Sequence, residues 1–186
     1  MGKIALLLSC LLLGACKNEV EVNQINTVDE IMQCEGSEST CEFLINEAVA
    51  KLPTELQDKI VDTSDTLIIY TGANEEKLKS RGVSGITQYA YQKQTRIHSI
   101  AKSHVLFHEL GHAYDITYLH NGNELLSHSK EWIDAYSTEF ISRYGQTSEE
   151  EFYAETFSMY FKNPKSLQKL CPKAYSLHEK EFKNMR

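Results

Sequence analysis

Residues 104–115 read His-Val-Leu-Phe-His-Glu-Leu-Gly-His-Ala-Tyr-Asp, and the five from His108 to His112 spell H-E-x-x-H. Residues four apart stand one above the other on a helix, so His108 and His112 share a face. Two imidazoles so placed converge on a single zinc ion, with Glu109 beside them to carry a proton. Val105, Leu106, Leu110 and Ala113 are apolar at helical spacing, which predicts a helix, and Ser103 stands where a cap belongs. The motif constrains the fold, because a catalytic zinc takes a third protein ligand and leaves its fourth position to water. The competing reading, a surface helix with two solvated histidines, makes no such demand.

The stretch after Gly145 offers the missing ligand as Glu149, Glu150, Glu151 or Glu155. Glu151 and Glu155 are four apart and share a face, so one serves as ligand while the other orients a histidine; periodicity leaves open which. Glu149 and Glu150 are explained as acidic residues complementing a helix start. His104 extends the histidine stripe by one turn. Three successive turns of a straight helix cannot wrap a tetrahedral ion, so His104 reads as a supporting or packing residue. Asp115 is expected to bond neighbouring backbone or a ligand histidine.

The rest of the chain predicts an α+β order. Residues 27–32 begin a helical pattern, and a better helix spans 41–52 with Phe43, Leu44, Ala48 and Leu52 on one side. Leu56, Ile60 and Val61 continue a packing face after Pro53. Residues 66–70 form a buried strand; residues 86–91 and 95–98 form two more, turning at 92–94. Beyond the motif only helices are expected. One covers 129–144 with Trp132, Ile133, Tyr136, Phe140 and Ile141 buried, ended by Gly145. A second starts on a Thr147–Glu150 capping box, and a last stretch follows Pro164.

The first residues read as an export signal. Lys3 supplies the charge, and residues 4–13 are an apolar run too short to span a bilayer. The run ends in Leu13-Gly14-Ala15-Cys16, which resembles the bacterial lipobox, whose cysteine becomes the lipid-modified first residue. The expected organisation is a lipoprotein signal peptide over 1–15, a tether over 16–26 and one domain over 27–186. The domain would then hang by acyl chains from the outer face of a bacterial membrane, or be secreted if the lipobox is unused. With Cys10 removed and Cys16 lipidated, Cys34, Cys41 and Cys171 remain. Cys34 with Cys41 is the economical disulfide, and pairings with Cys171 stay open. A net charge of -7 without a Lys/Arg cluster excludes a nucleic-acid footprint. A membrane reached through the anchor alone and a protein or peptide substrate for the motif's chemistry are the expected partners, and the chain is expected to be a monomer.

Three blocks together, His108-Glu109-Leu110-Gly111-His112-Ala113-Tyr114-Asp115, Tyr144-Gly145-Gln146-Thr147 and Glu151-Phe152-Tyr153-Ala154-Glu155-Thr156-Phe157, resemble the catalytic domain of the anthrax toxin lethal factor family, including the Pro-Pro endopeptidases. The resemblance covers roughly the last hundred residues. It implies a zincin-like domain with a small mixed sheet, whose edge strand lies over the H-E-x-x-H helix, and a mostly helical C-terminal half. It implies one catalytic Zn2+ on His108, His112 and Glu151, with Glu109 as general base. Tyr144 would stabilise the oxyanion, and Glu155 would stand behind a ligating histidine. It implies a zinc metalloendopeptidase whose substrate lies extended along the strand near residues 85–91. The competing class is an inactive lipoprotein of the same fold that binds a protein or a metal. The large accessory domains of the toxin are lacking, so uptake into target cells is not implied.

Overall fold

The computed structural model describes residues 26–90 and 94–185. The signal peptide, Cys16, nearly all of the tether and part of the turn at 92–94 lie outside the described residues. The strands are β1 (Met32–Glu35), β2 (Ser64–Tyr70), β3 (Gly85–Ala90) and β4 (Gln94–Ile100). They make a four-stranded sheet in the order β1-β2-β4-β3. β1 and β4 each run parallel to β2, and β3 runs antiparallel to β4. The sheet is therefore mixed, and β3 is an edge strand.

Side chains alternate across a strand, and here the alternation decides which face is covered. Leu67 pairs with Ile97, and both are fully buried together with Ile69. This face packs on Leu106, Phe107 and Leu110 of helix α4 (Ser103–His120). Before α4 come α1 (Glu38–Lys51), α2 (Thr54–Thr63) and the short α3 (Glu76–Lys79). After it come α5 (Lys130–Thr138), α6 (Glu149–Lys162), α7 (Pro164–Leu170) and α8 (Pro172–Phe182). Tyr114 of α4, Phe157 of α6 and Phe182 of α8 stack edge to face, which locks these helices around one another. Beside that stack, Tyr114 and Tyr118 both donate to the Glu181 carboxylate. The fold is α+β with a helical C-terminal half, as the sequence predicts. Of the disulfide pairings left open, Cys34–Cys41 is the one present, joining β1 to α1; Cys171 is free and buried.

Several local expectations are corrected. Residues 27–32 form no helix: a turn leads into β1, where Leu67 N donates to Ile31 O at 2.8 Å. Pairing with the edge of β2 overrides the local pattern. Phe43 is 70 % exposed, because Cys41, Leu44, Ile45 and Ala48 occupy the inward face of α1. Ser103 does not cap α4; its hydroxyl donates to Glu47 on α1 at 2.6 Å.

The expected helix over 129–144 stops at Thr138. Beyond it, Glu139 turns away to accept the N–H groups of Lys173 and Ala174 at the start of α8. Phe140, beyond the helix, is exposed and not buried, as is Ile133 within α5, where Trp132 and Ala135 take the inward face; Gly145 lies in a loop instead of ending a helix. The cap of α6 is Ser148, one residue after the expected Thr147, whose hydroxyl bonds the Tyr144 carbonyl.

Candidate metal centre

His108 and His112 occupy one face of α4, with their Nε2 atoms 3.1 Å apart and their rings nearly perpendicular. Ser148 starts α6 by accepting from Glu151 N at 3.3 Å, which fixes Glu151 in the first turn. α6 approaches α4 closely at Gly111. A Cβ added there would stand 3.1 Å from Phe157 Cβ and 3.2 Å from Ala154 Cα. Glu151, Ala154 and Phe157 line one side of α6 at i, i+3 and i+6, so this close approach brings Glu151 to the histidines.

Glu151 Oε2 lies 3.0 Å from His108 Nε2 and 3.4 Å from His112 Nε2. Among the described residues, His108, His112 and Glu151 form a group whose donor atoms could hold one ion. Ligand atoms about 2.0–2.1 Å from a tetrahedral zinc stand about 3.3–3.4 Å from each other, close to the spacing of this triangle. Glu151 Oε2 is buried with no aligned hydrogen-bond donor, although both imidazoles are near. Two imidazoles and a carboxylate closing on one point fit a zinc-sized cation.

Electrostatics follow from crowding. Burial of His108 opposes its charging, but contact with Glu151 and Glu155 and the charge of Glu109 prevail and lift its pKa to about 9. Burial pushes Glu151 up, and the two imidazoles outweigh it and hold the carboxyl far below the usual range. Glu155 is lowered chiefly by His108. Its Oε1 stands 3.5 Å from His108 Nδ1, and its Oε2 accepts from Ser142 Oγ at 3.1 Å. Ser142 also accepts from Gly145 N at 2.8 Å, so the loop carrying Tyr144 is tied to Glu155. The Tyr144 ring lies 5.7 Å from that of His108, and burial followed by the charge of Glu151 raises its hydroxyl pKa.

Glu109 is 5 % exposed, and burial raises its pKa against the opposing charges of His112 and His108. Its carboxylate accepts from Thr87 Oγ1 of β3 at 2.7 Å. A Cβ added at Gly85 would stand 2.2 Å from Glu109 Oε1. Two cavities flank the centre. One, of about 310 Å³, is lined by Gly82, Ser84, His104 and Glu155 among others. The other, of about 430 Å³, is lined by Ile116, Leu119 and Leu125 of the α4 side and by Ile86, Thr87 and Tyr89 of β3. Gly85, Glu109 and Tyr144 border both.

The structure thus brings together His108, Glu109, His112, Tyr144, Glu151 and Glu155. His104 lines a cavity, and Asp115 accepts from Ser127 N and Oγ at 2.9 and 2.6 Å, bracing the loop after α4. His178 is fully buried among Trp132, Tyr153 and Phe182. Four residues of the site are given no role by the sequence: Gly85, Thr87, Gly111 and Ser142. A small residue inside H-E-x-x-H hints at close packing for Gly111; nothing local marks the other three.

The sequence profile described as anthrax toxin lethal factor, N- and C-terminal domain, matches residues 86–181, more than half of the chain. No curated protein matches the chain. The solved structure of the Pro-Pro endopeptidase from Paenibacillus alvei is similar over 83 % of this chain and 98 % of that one, with a TM-score of 0.59 and 18 % sequence identity. The matched span holds both histidines, Glu109, Tyr144, Glu151 and Glu155, so the chain belongs to the anthrax toxin lethal factor family.

Proposed function

We propose that this protein is a zinc-dependent endopeptidase that works outside the cytoplasm and cuts extended segments of protein. The observation that carries this reading is the triangle of His108, His112 and Glu151, with sides of 3.0 to 3.4 Å, beside the buried carboxylate of Glu109. Family membership supports it, and so does similarity in fold to an endopeptidase.

A zinc ion bound there supplies an acidified water and an electrophile for the scissile carbonyl. His108, His112 and Glu151 are its ligands, and Glu155 turns His108 by facing its Nδ1. Glu109 takes the proton released as the water oxygen bonds the carbonyl carbon, then returns it to the amine as the C–N bond breaks. The Tyr144 hydroxyl donates to the oxygen on which negative charge develops. The peptide aligns with the edge strand β3, using main-chain bonds for affinity and the flanking cavities for side chains. Export through residues 1–15 and lipid attachment at Cys16 put this chemistry on the outer face of a membrane.

Zinc-loaded protein from Lys17 onward should cleave internal bonds of a peptide library read by mass spectrometry. Glu109→Ala should bind about one equivalent of zinc and cleave nothing. A Glu109→Ala variant that keeps cleaving removes this mechanism. Folded, zinc-loaded wild type that cleaves no peptide favours the binding module.

A further inference from the structure

Glu109 lies against a strand, and the strand is built to receive it. Alternation puts Gly85 and Thr87 of β3 on the same face, toward α4. At Gly85 the missing side chain leaves space that Glu109 fills, since an added Cβ would stand 2.6 Å from its Cγ and Cδ. Two residues on, Thr87 Oγ1 donates to Glu109 Oε2 at 2.7 Å and lies 3.1 Å from the Glu109 carbonyl oxygen. One hydroxyl therefore touches both ends of the same residue.

We propose that Thr87 is a positioning residue, whose hydroxyl sets the rotation of the Glu109 carboxylate so that it meets the reacting water in a fixed orientation. The terminal torsion of a glutamate is broad and two-fold, so packing against Gly85 alone leaves the carboxylate free to turn. A donor on one oxygen removes that freedom, and a misplaced base loses rate steeply with distance. Because β3 is an edge strand, the base and a peptide aligned on that edge share one frame. Thr87 moves no proton and touches no reacting atom.

This assignment rests on the endopeptidase reading for its kinetic consequence but not for its geometry, and the test separates the two. Crystal structures of zinc-loaded wild type, Thr87→Val and Thr87→Ser are compared with their kinetics, zinc content and melting temperature. Valine keeps the shape and strand preference of threonine without the hydroxyl, so fold and zinc content should hold. In Thr87→Val the Glu109 carboxylate should rotate or split between orientations. Its kcat should fall about tenfold to a hundredfold while KM stays within about twofold of wild type. Thr87→Ser should restore both the orientation and most of kcat. A Glu109 carboxylate that keeps its wild-type orientation in Thr87→Val overturns the proposal, as does a displaced carboxylate with unchanged kcat, or a serine variant no better than valine. Should wild type cleave nothing, the endopeptidase reading fails, and the carboxylate orientation alone still decides the role of Thr87.

Discussion

At the scale of single residues, the centre depends as much on absent side chains as on present ones. Gly85 holds open the space for Glu109, and Gly111 lets Phe157 and Ala154 come close. Gly85→Ala should drive Glu109 from its place and lower kcat by about a hundredfold or more, with zinc content unchanged in elemental analysis. An alanine variant of wild-type rate would mean that the carboxylate does not rest there during turnover. The residues legible in the sequence were those whose spacing encodes chemistry on one helix, His108, Glu109 and His112. Glu151 and Glu155 shared a face, but only the family resemblance assigned their order. Thr87 and Ser142 were illegible because their partners lie 22 and 13 residues away, and one hydroxyl in a strand or loop looks like any other.

At the scale of elements, the helix carrying the motif is fixed from two sides. α6 packs at Gly111, and α1 reaches α4 through Glu47, which accepts from Ser103 of α4 and Lys162 of α6 at 2.6 and 2.7 Å. Burial pushes the Glu47 carboxyl up, but Lys162, Ser103 and Lys51 outweigh it and bring it down to about 2 from an ordinary 4.5. A carboxyl lowered by folding adds stability that is full above its unfolded value and lost as pH falls through its folded one. Denaturant titrations should therefore find Glu47→Gln less stable than wild type by about 1 kcal/mol at pH 7, allowing for solvent screening. The gap should close as pH drops from about 4.5 to about 2; a gap independent of pH would assign the loss to packing.

Elements were legible where periodicity was sustained, as in β2, β3, β4 and α4. The expected helix over 129–144 failed for a tertiary reason. Its apolar residues continue the pattern past Thr138, but Glu139 finds the N–H groups of α8, and the chain must open to bring Tyr144 over His108. The short strand β1 was missed because only its pairing with β2 makes it a strand.

At the scale of the whole molecule, a small mixed sheet and its helices serve to bring α6 back to α4. His108, Glu109, His112, Glu151 and Glu155 are then packed into one place. Such a concentration of ionisable groups around a would-be cation couples metal binding to folding, since an ion that binds the native state alone stabilises it by mass action. Stripping metal with a chelator should lower the melting temperature by several degrees, and adding back one equivalent of zinc should restore it. Identical melting with and without zinc would separate the centre from the stability of the fold. No helix among the described residues is long and apolar enough to cross a membrane.

On the proposed function, one cation is held between α4 and α6 by two imidazoles and a carboxylate. A crystal structure of the zinc-loaded protein, with anomalous data collected at the zinc edge, tests it most directly. A single strong peak is expected about 2.0–2.2 Å from His108 Nε2, His112 Nε2 and a Glu151 carboxylate oxygen. A zinc ion bound elsewhere, or one bound by the histidines with Glu151 turned away, would contradict it.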